Sequence, residues 1–407
     1  MKDLKPLFEN LVPDEHPPSQ VDVGAAMRAG RRLRRRRRAL TVSVPLAAAA
    51  VTALVLATGS LADLGRRDAS ATPSPAAISA VTSASASTRG VWSSAMTTIP
   101  AAASDGSTYT PVTALSTTEL LLRAETSFDR GGRLEVYDTA AGTTRVLGDM
   151  PQPDGARDYD PQAIEPGPEH IAWWAQDVHA QKSTDVWALP RAGGQAVLLA
   201  RLSGPAAAVE RLGVLRDRIV WSVRHGGLYA VPITGGAPQA LPGTDGLHLV
   251  SWPWASDVRQ YDTDLNQGVL VNLETGERTS LATPPGARGM RCSLNWCVAT
   301  LEGRTVMWSL AGGASRTVRG HLTPASQIRA DRFVDLGATV HDFVTGQSLE
   351  IGLKKSPTGA TWHSGVSSSP GLVFSWQAPP CGSPGSTSCG SGHGPELAVL
   401  NLAAVQR

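Results

Sequence analysis

The sequence predicts an all-β chain, a β-propeller with seven blades (six or eight also fit), preceded by a single transmembrane helix. Three observations predict it. A glycine-punctuated strand motif recurs at intervals of ~40 residues from about residue 108 onward. A strand carrying tryptophan precedes several of the copies. Near the N-terminus, a block of arginines runs directly into twenty residues without an ionisable group.

The arginine block comes first along the chain. It comprises Arg31, Arg32, Arg34, Arg35, Arg36, Arg37 and Arg38, and residues 39–58 after it are Ala, Leu, Val, Thr, Ser and one Pro. At about 1.5 Å rise per residue, such a helix crosses a hydrocarbon core of ~30 Å. Basic flanks stay in the cytoplasm and contact anionic lipid, which places residues 1–38 inside and the C-terminal domain outside. A cleaved signal peptide is the competing reading, with Ala69-Ser70-Ala71 as an acceptable cleavage triplet. The long basic region and an apolar core exceeding the usual ~7–15 residues favour a retained signal anchor over 39–60.

Two polar zones flank that span. In the tail, Leu4, Leu7, Phe8 and Leu11 follow helical spacing and form an apolar stripe, ended by Pro17-Pro18. That stripe suits either a cytosolic partner or the inner leaflet. Beyond the span, residues 61–103 are dominated by Ala, Ser, Thr and Pro, a composition that buries too little surface to fold and reads as a disordered stalk. The propeller is assigned to 104–407, with a segment near 91–112 available to supply the closing strand of the last blade.

The repeat is a strand, a turn at a glycine, and a second strand. Its copies span 134–142, 186–193, 228–235, 269–276, 306–312 and 340–346, with a degenerate copy at 397–402. Their glycines, Gly142, Gly193, Gly235, Gly276, Gly312 and Gly346, sit where a tight hairpin demands positive φ. Upstream strands carry Trp173-Trp174, Trp221, Trp252, Trp296 and Trp376. One such unit cannot cover its own apolar faces, whereas a closed ring of them can.

The turns Asn272-Leu-Glu-Thr-Gly276 and Asp342-Phe-Val-Thr-Gly346 carry a resemblance over about residues 108–407. Here the chain resembles membrane-anchored TolB-like or WD-repeat-like β-propeller proteins of actinobacteria. The repeated Gly-His…Trp-Asp pairing of true WD repeats is absent, since no tryptophan is followed by aspartate. The resemblance implies a fold far more than a function, since propellers host unrelated activities. The stretch Pro17-Pro18-Ser19-Gln20-Val21-Asp22, leading into the arginines, is similar to tails of actinobacterial membrane proteins linked to extracytoplasmic-function sigma factors.

Charge is uneven. Of the formal +2, residues 1–38 contribute +5 and the remainder −3, so the outer domain offers no basic field for nucleic acid. All four cysteines lie in that domain, as Cys292 with Cys297 and Cys381 with Cys389, an even count that suits two local disulfides in an oxidising compartment. A zinc reading of the first pair lacks a second pair of ligands nearby.

No catalytic constellation is visible. There is no Gly-x-Ser-x-Gly and no His-Glu-x-x-His, Ser391 lacks the preceding pattern, and His225, His341 and His363 are scattered. Asp262, Asp264 and Asn266, with Gly268 and Glu274 further on, alternate like calcium ligands. The spacing is one place late for an EF-hand loop, and a polar hairpin turn accounts for the same residues. Trp173, Trp252, Trp254 and Trp362 are candidates for an aromatic binding face, although their recurrence in strands favours packing between blades. Asp158, Asp160 and Glu165 are candidates for a polar rim.

The expectation is therefore a single-pass cell-membrane protein without a required cofactor. Its extracytoplasmic propeller binds or scaffolds an envelope protein, peptide or glycan. The alternative is transmembrane signalling, in which the tail binds a cytosolic regulator such as a sigma factor. A hydrolase or lyase comes third and needs an acid/base pair at the channel.

Overall fold

The structure is a computed structural model that describes residues 89–126, 132–154, 156, 159–177, 183–312, 314–352, 363–365, 367, 371–378 and 395–406. All of these lie in one compact unit, 78–407. The tail residues Leu4, Leu7, Phe8 and Leu11, the arginine block, the span 39–60, Trp362 and the Cys381/Cys389 pair lie outside the described residues. Among the described residues no helix is long and apolar enough to cross a membrane.

The chain enters the ring before its first complete blade. Strand β1 (Met96–Pro100) follows a short helical stretch from Arg89 to Ala95. Blade 1 is then β2 (Thr108–Ala114), β3 (Glu119–Glu125), β4 (Arg133–Asp138) and β5 (Thr143–Asp149). Blade 2 is β6 (Tyr159–Pro166), β7 (His170–Asp177), β8 (Thr184–Pro190) and β9 (Val197–Leu202). Blade 3 is β10 (Val209–Val214), β11 (Arg218–Val223), β12 (Leu228–Pro232) and β13 (Gln239–Ala240). Blade 4 is β14 (His248–Ser251), β15 (Trp254–Ser256), β16 (Val269–Asn272) and β17 (Arg278–Ser280). Blade 5 is β18 (Arg288–Cys292), β19 (Trp296–Leu301), β20 (Arg304–Ser309) and β21 (Arg316–Val318). Blade 6 is β22 (Ile328–Arg329), β23 (Phe333–Asp335), β24 (Thr339–Asp342) and β25 (Ser348–Glu350). Blade 7 combines β26 (His363–Ser364), β27 (Val373–Gln377) and β28 (Glu396–Asn401) with β1 as its fourth strand.

The fold is a seven-bladed propeller of four-stranded antiparallel sheets, each a meander except for the closure. The predicted repeats are the third strands with the turns that follow them. All six of their glycines have positive φ, from 67° at Gly142 to 103° at Gly312. The turns that carry the family resemblance are built alike. Asn272 Oδ1 accepts from the N–H of Glu274 and Thr275 at 2.9 and 3.2 Å. Asp342 Oδ1 accepts from Val344 N–H at 2.9 Å. A short side-chain acceptor thus nucleates the turn and glycine closes it.

Seven apolar clusters hold the ring, one at each junction between neighbouring blades. Strand period two explains how one blade serves two junctions. Trp173 packs toward blade 1 and its neighbour Trp174 toward blade 3. Strand β3, covered on both faces, is apolar without alternation, and Leu120, Leu121 and Leu122 are all fully buried.

The segment near 91–112 does supply the closing strand of the last blade, as β1, and the folded domain begins earlier than the boundary set at 104. Residues 89–103, assigned to the stalk, are structured: Trp92 and Ile99 are each 1% exposed, and Trp92 lies 5.9 Å from the Phe333 ring. Composition misses this because β1 forms no sheet of its own. Its ladder is completed by β28 at the other end of the chain.

Candidate functional site

Turns between first and second strands of neighbouring blades gather on one end of the ring. There, the Trp252-Pro253 turn of blade 4, Ser293 and Leu294 of blade 5, and Ala330 and Asp331 of blade 6 enclose a cleft of about 390 Å³. Trp252 and Trp254, two of the predicted aromatics, are half-buried in its wall. Trp252 Nε1 donates to Glu274 Oε1 at 3.0 Å, which fixes the indole. The opposite rim is tied between blades, because Asp331 accepts from the backbone N–H of Asn295 at 3.0 Å and from its side-chain amide. Leu270, Ile328 and Leu372 supply an apolar floor. Trp173 belongs elsewhere. It is fully buried and stacks on Trp187 with ring centroids 6.4 Å apart, a packing residue between blades.

Deeper in the ring, the first strands of blades 3 to 6 converge around a cavity of about 60 Å³. It shares Val250, Ser293 and Ile328 with the cleft. Arg211 of β10, only 5% exposed, reaches it and donates to Val250 O, to Gln260 Oε1 and, at 3.5 Å, to Gln327 Oε1. Burial pulls its pKa down, against the fields of Glu210, Tyr261 and Glu165, which favour the charged form. Residue type and spacing alone do not mark Arg211 as a site residue. Its signal was a charged pair, Glu210-Arg211, inside the otherwise apolar stretch 209–214.

Beyond this cavity lies a third, of about 240 Å³, which shares Gln260, Arg291 and Ser326 with it. Of the calcium candidates only Asp264 lines it, and Asp262 and Asn266 are engaged by other partners. Arg259 holds Asp262 through two bonds of 3.1 and 2.9 Å. Asn266 spans blades 4 and 5, donating to Ala287 O at 2.8 Å and accepting from Met290 N–H at 2.9 Å. Glu274 is the partner of Trp252 at the other end of the ring. The loop's carbonyls also turn toward a cation, since Arg291 donates to Leu265 O at 2.8 Å and to Asp262 O at 2.6 Å. Two arginines thus bind this loop, one through the Asp262 carboxylate and one through its carbonyls. Among the described residues no group of three or more His, Cys, Asp or Glu is arranged to hold a metal.

Other candidates separate. Cys292 and Cys297 form a disulfide across the β18–β19 pair, with Cα atoms 4.0 Å apart. Buried His341 bonds Ser348 Oγ through Nδ1 at 2.8 Å, and burial pulls its pKa down. His225 and His363 are exposed. Glu165 accepts from Ser367 Oγ at 2.7 Å. Asp158 and the side chain of Asp160 lie outside the described residues. One histidine–carboxylate pair was not foreseen: His248 Nδ1 and Glu210 Oε2, on the first strands of blades 4 and 3, are 2.8 Å apart. Neither residue lines the three cavities above.

No protein-family model matches the chain, and no curated protein matches it. Solved structures do. An oligogalacturonate lyase from Vibrio parahaemolyticus is 8% identical, with a TM-score of 0.41 over 74% of this chain and 96% of that one. A prolyl endopeptidase is 10% identical, with a TM-score of 0.42 over 63% of this chain and 44% of that one. The computationally designed Ika8 protein is 18% identical, with a TM-score of 0.35 over 60% and 72%. These likenesses lend this chain no residue role, substrate or activity.

Proposed function

We propose that this protein is a membrane-anchored, extracytoplasmic binding propeller that captures a segment of an envelope protein, a peptide or a glycan on the face bearing Trp252 and Trp254. The observation that carries this reading is the 390 Å³ cleft, where two indoles stand over an apolar floor beside a polar rim. Aromatic walls with a few fixed polar groups suit sugar rings and peptide side chains alike. The rigid ring holds three turns in place, so little ordering entropy is lost on binding. The arginine block and residues 39–58 supply the anchor, and the stalk supplies reach across the envelope.

Binding of the full chain to immobilised glycan and peptide panels tests this. Trp252→Ala and Trp254→Ala are expected to lose at least tenfold in affinity, and Tyr261→Ala, an exposed aromatic outside the cleft lining, to lose none. Equal binding by all three variants overturns the cleft as the site. Cross-linking in intact cells with the full chain and with a version lacking residues 2–18 separates the signalling alternative. A cytosolic regulator captured only by the full chain favours signalling. A second, catalytic reading rests on the Glu210–His248 pair and requires a turnover that His248→Gln abolishes.

A further inference from the structure

We infer that the channel cavity beside Arg211 is a binding site for the carboxylate of a small organic anion, gripped by the Arg211 guanidinium and the side-chain amide nitrogens of Gln260 and Gln267. Arg211 lacks an anionic partner among the described residues. Its partners there are neutral oxygens, those of Val250, Gln260 and Gln327. A buried cation ordinarily has an anion in contact with it. Glu210 and Glu165 favour the charged Arg211 through their fields, and the Arg329 cation opposes them.

The two amides point the same way. An amide oxygen that accepts a hydrogen bond leaves its NH₂ on the opposite branch. Gln260 Oε1 is taken by Arg211, and Gln267 Oε1 accepts from Cys292 N–H at 2.8 Å. Both Nε2 atoms are thereby fixed as donors, and both are buried without a partner among the described residues. Gln267 is 2% exposed, and both glutamines line the cavity. A cationic fork and two spare amide donors lining one partly open cavity call for an acceptor.

The size and walls narrow the ligand. On the same measure one water needs about 10–15 Å³, so a cavity of about 60 Å³ holds a group of a few atoms. Leu249, Val258 and Ile328 make the rest of the wall apolar. A planar carboxylate matches the guanidinium fork. A phosphate dianion suffers about four times the Born penalty of a single charge in such surroundings, because that cost grows with the square of the charge. The ligand is therefore a monocarboxylate with a short apolar substituent, and it requires nothing bound in the tryptophan cleft.

Calorimetric titration of the full chain in detergent tests this with sodium butyrate, with butyramide as its neutral counterpart and with inorganic phosphate. Butyrate is expected to bind, with butyramide and phosphate each at least tenfold weaker. Gln260→Glu and Gln267→Glu keep the shape and the accepting oxygen while replacing the donor with a negative oxygen. Each is expected to weaken butyrate at least tenfold while the thermal midpoint shows the chain folded. Butyrate binding no tighter than butyramide, phosphate preferred to butyrate, or folded variants that bind as the native chain does would each overturn the assignment. The selectivity of the native chain decides the matter even if both variants fail to fold.

Discussion

Met96 lies opposite Leu400 in the antiparallel ladder between β1 and β28, so the start of the described chain is the outer strand of the final blade. Closure therefore depends on residues that composition assigns to a stalk. Ile99 of β1 packs among Tyr109, Leu120 and Val399, at the junction of blades 7 and 1. Replacing it with Ala is expected to cost about 2–4 kcal/mol, the usual range for emptying a buried aliphatic site. Ile99→Asp is expected to open the ring and expose the β28 edge to pairing with other chains. Urea denaturation of the full chain measures the first effect, and light scattering the second. An Ile99→Ala chain as stable as the native one would mean that β1 is dispensable.

A second closure runs through Arg332. Its guanidinium binds Asp342 through bonds of 3.0 and 2.7 Å, reaches Val405 O at 3.1 Å and Gln406 O at 2.7 Å, and lies over the Phe333 ring. Removing the fully buried Asp342 carboxylate strands the arginine, so Asp342→Ala is expected to cost about 3–5 kcal/mol. Asp138 supports the equivalent turn of blade 1 through Ala140 and Ala141 N–H alone. Asp138→Ala is expected to cost nearer 1 kcal/mol, about one hydrogen bond. The two midpoints in urea give the comparison directly.

Asp342 also sets part of the acid limb. Burial pushes its carboxyl up, but Arg332, the Thr345 hydroxyl and Val344 N–H more than offset this, and its pKa is lowered below 3.8. The stabilisation is complete above the unfolded value of about 3.9 and is lost as pH falls through the lower folded value. Asp342→Asn is expected to flatten the stability profile below about pH 4. A native-like slope in that variant would place the acid sensitivity elsewhere.

The alkaline limb has its own origin. Burial, then the 2.7 Å bond to Glu135, pushes the Tyr109 phenol up to about 12 from 10.0. The unfolded chain loses its proton first, so the stabilisation is complete below pH 10 and declines as pH rises through about 12. Tyr109→Phe is expected to remove that decline and to cost about 1 kcal/mol at neutral pH. Denaturation midpoints between pH 8 and 12 would show it, and an unchanged alkaline slope would count against Tyr109.

The turns were legible in the sequence because they are local. Asn272 and Gly276, or Asp342 and Gly346, solve the same geometric problem within five residues, wherever the chain goes next. The two-residue strands β13, β22 and β26 carry no period of their own and exist only by pairing. Trp252 and Trp254 were selectable from type and place, and the cleft brings them together. Arg211, Gln260 and Gln267 were not, for two reasons. An arginine in an apolar strand has no local cue to its partner, and Gln260 lies 49 residues further along, on the next blade. The bonding of the alternating oxygens of 262–266 was only half legible: Arg259 sits three residues from Asp262, while Arg291 arrives from the next blade.

Cys292 and Cys297 face each other across a single hairpin and are 3% and 1% exposed, so their disulfide closes a short loop within the junction of blades 4 and 5. A loop of this size is worth about 2 kcal/mol on the chain-entropy account. Changing both cysteines to serine is expected to lower stability by that amount in urea. It is also expected to loosen Gln267, whose amide oxygen takes the Cys292 N–H. Burial shields the bond from reductant until the hairpin opens, so the native chain should resist millimolar dithiothreitol below its melting temperature. Mass spectrometry of chain isolated from cells under non-reducing conditions checks both structure and compartment. A closed bond agrees with synthesis into an oxidising space, and two free thiols there would speak against an exported domain.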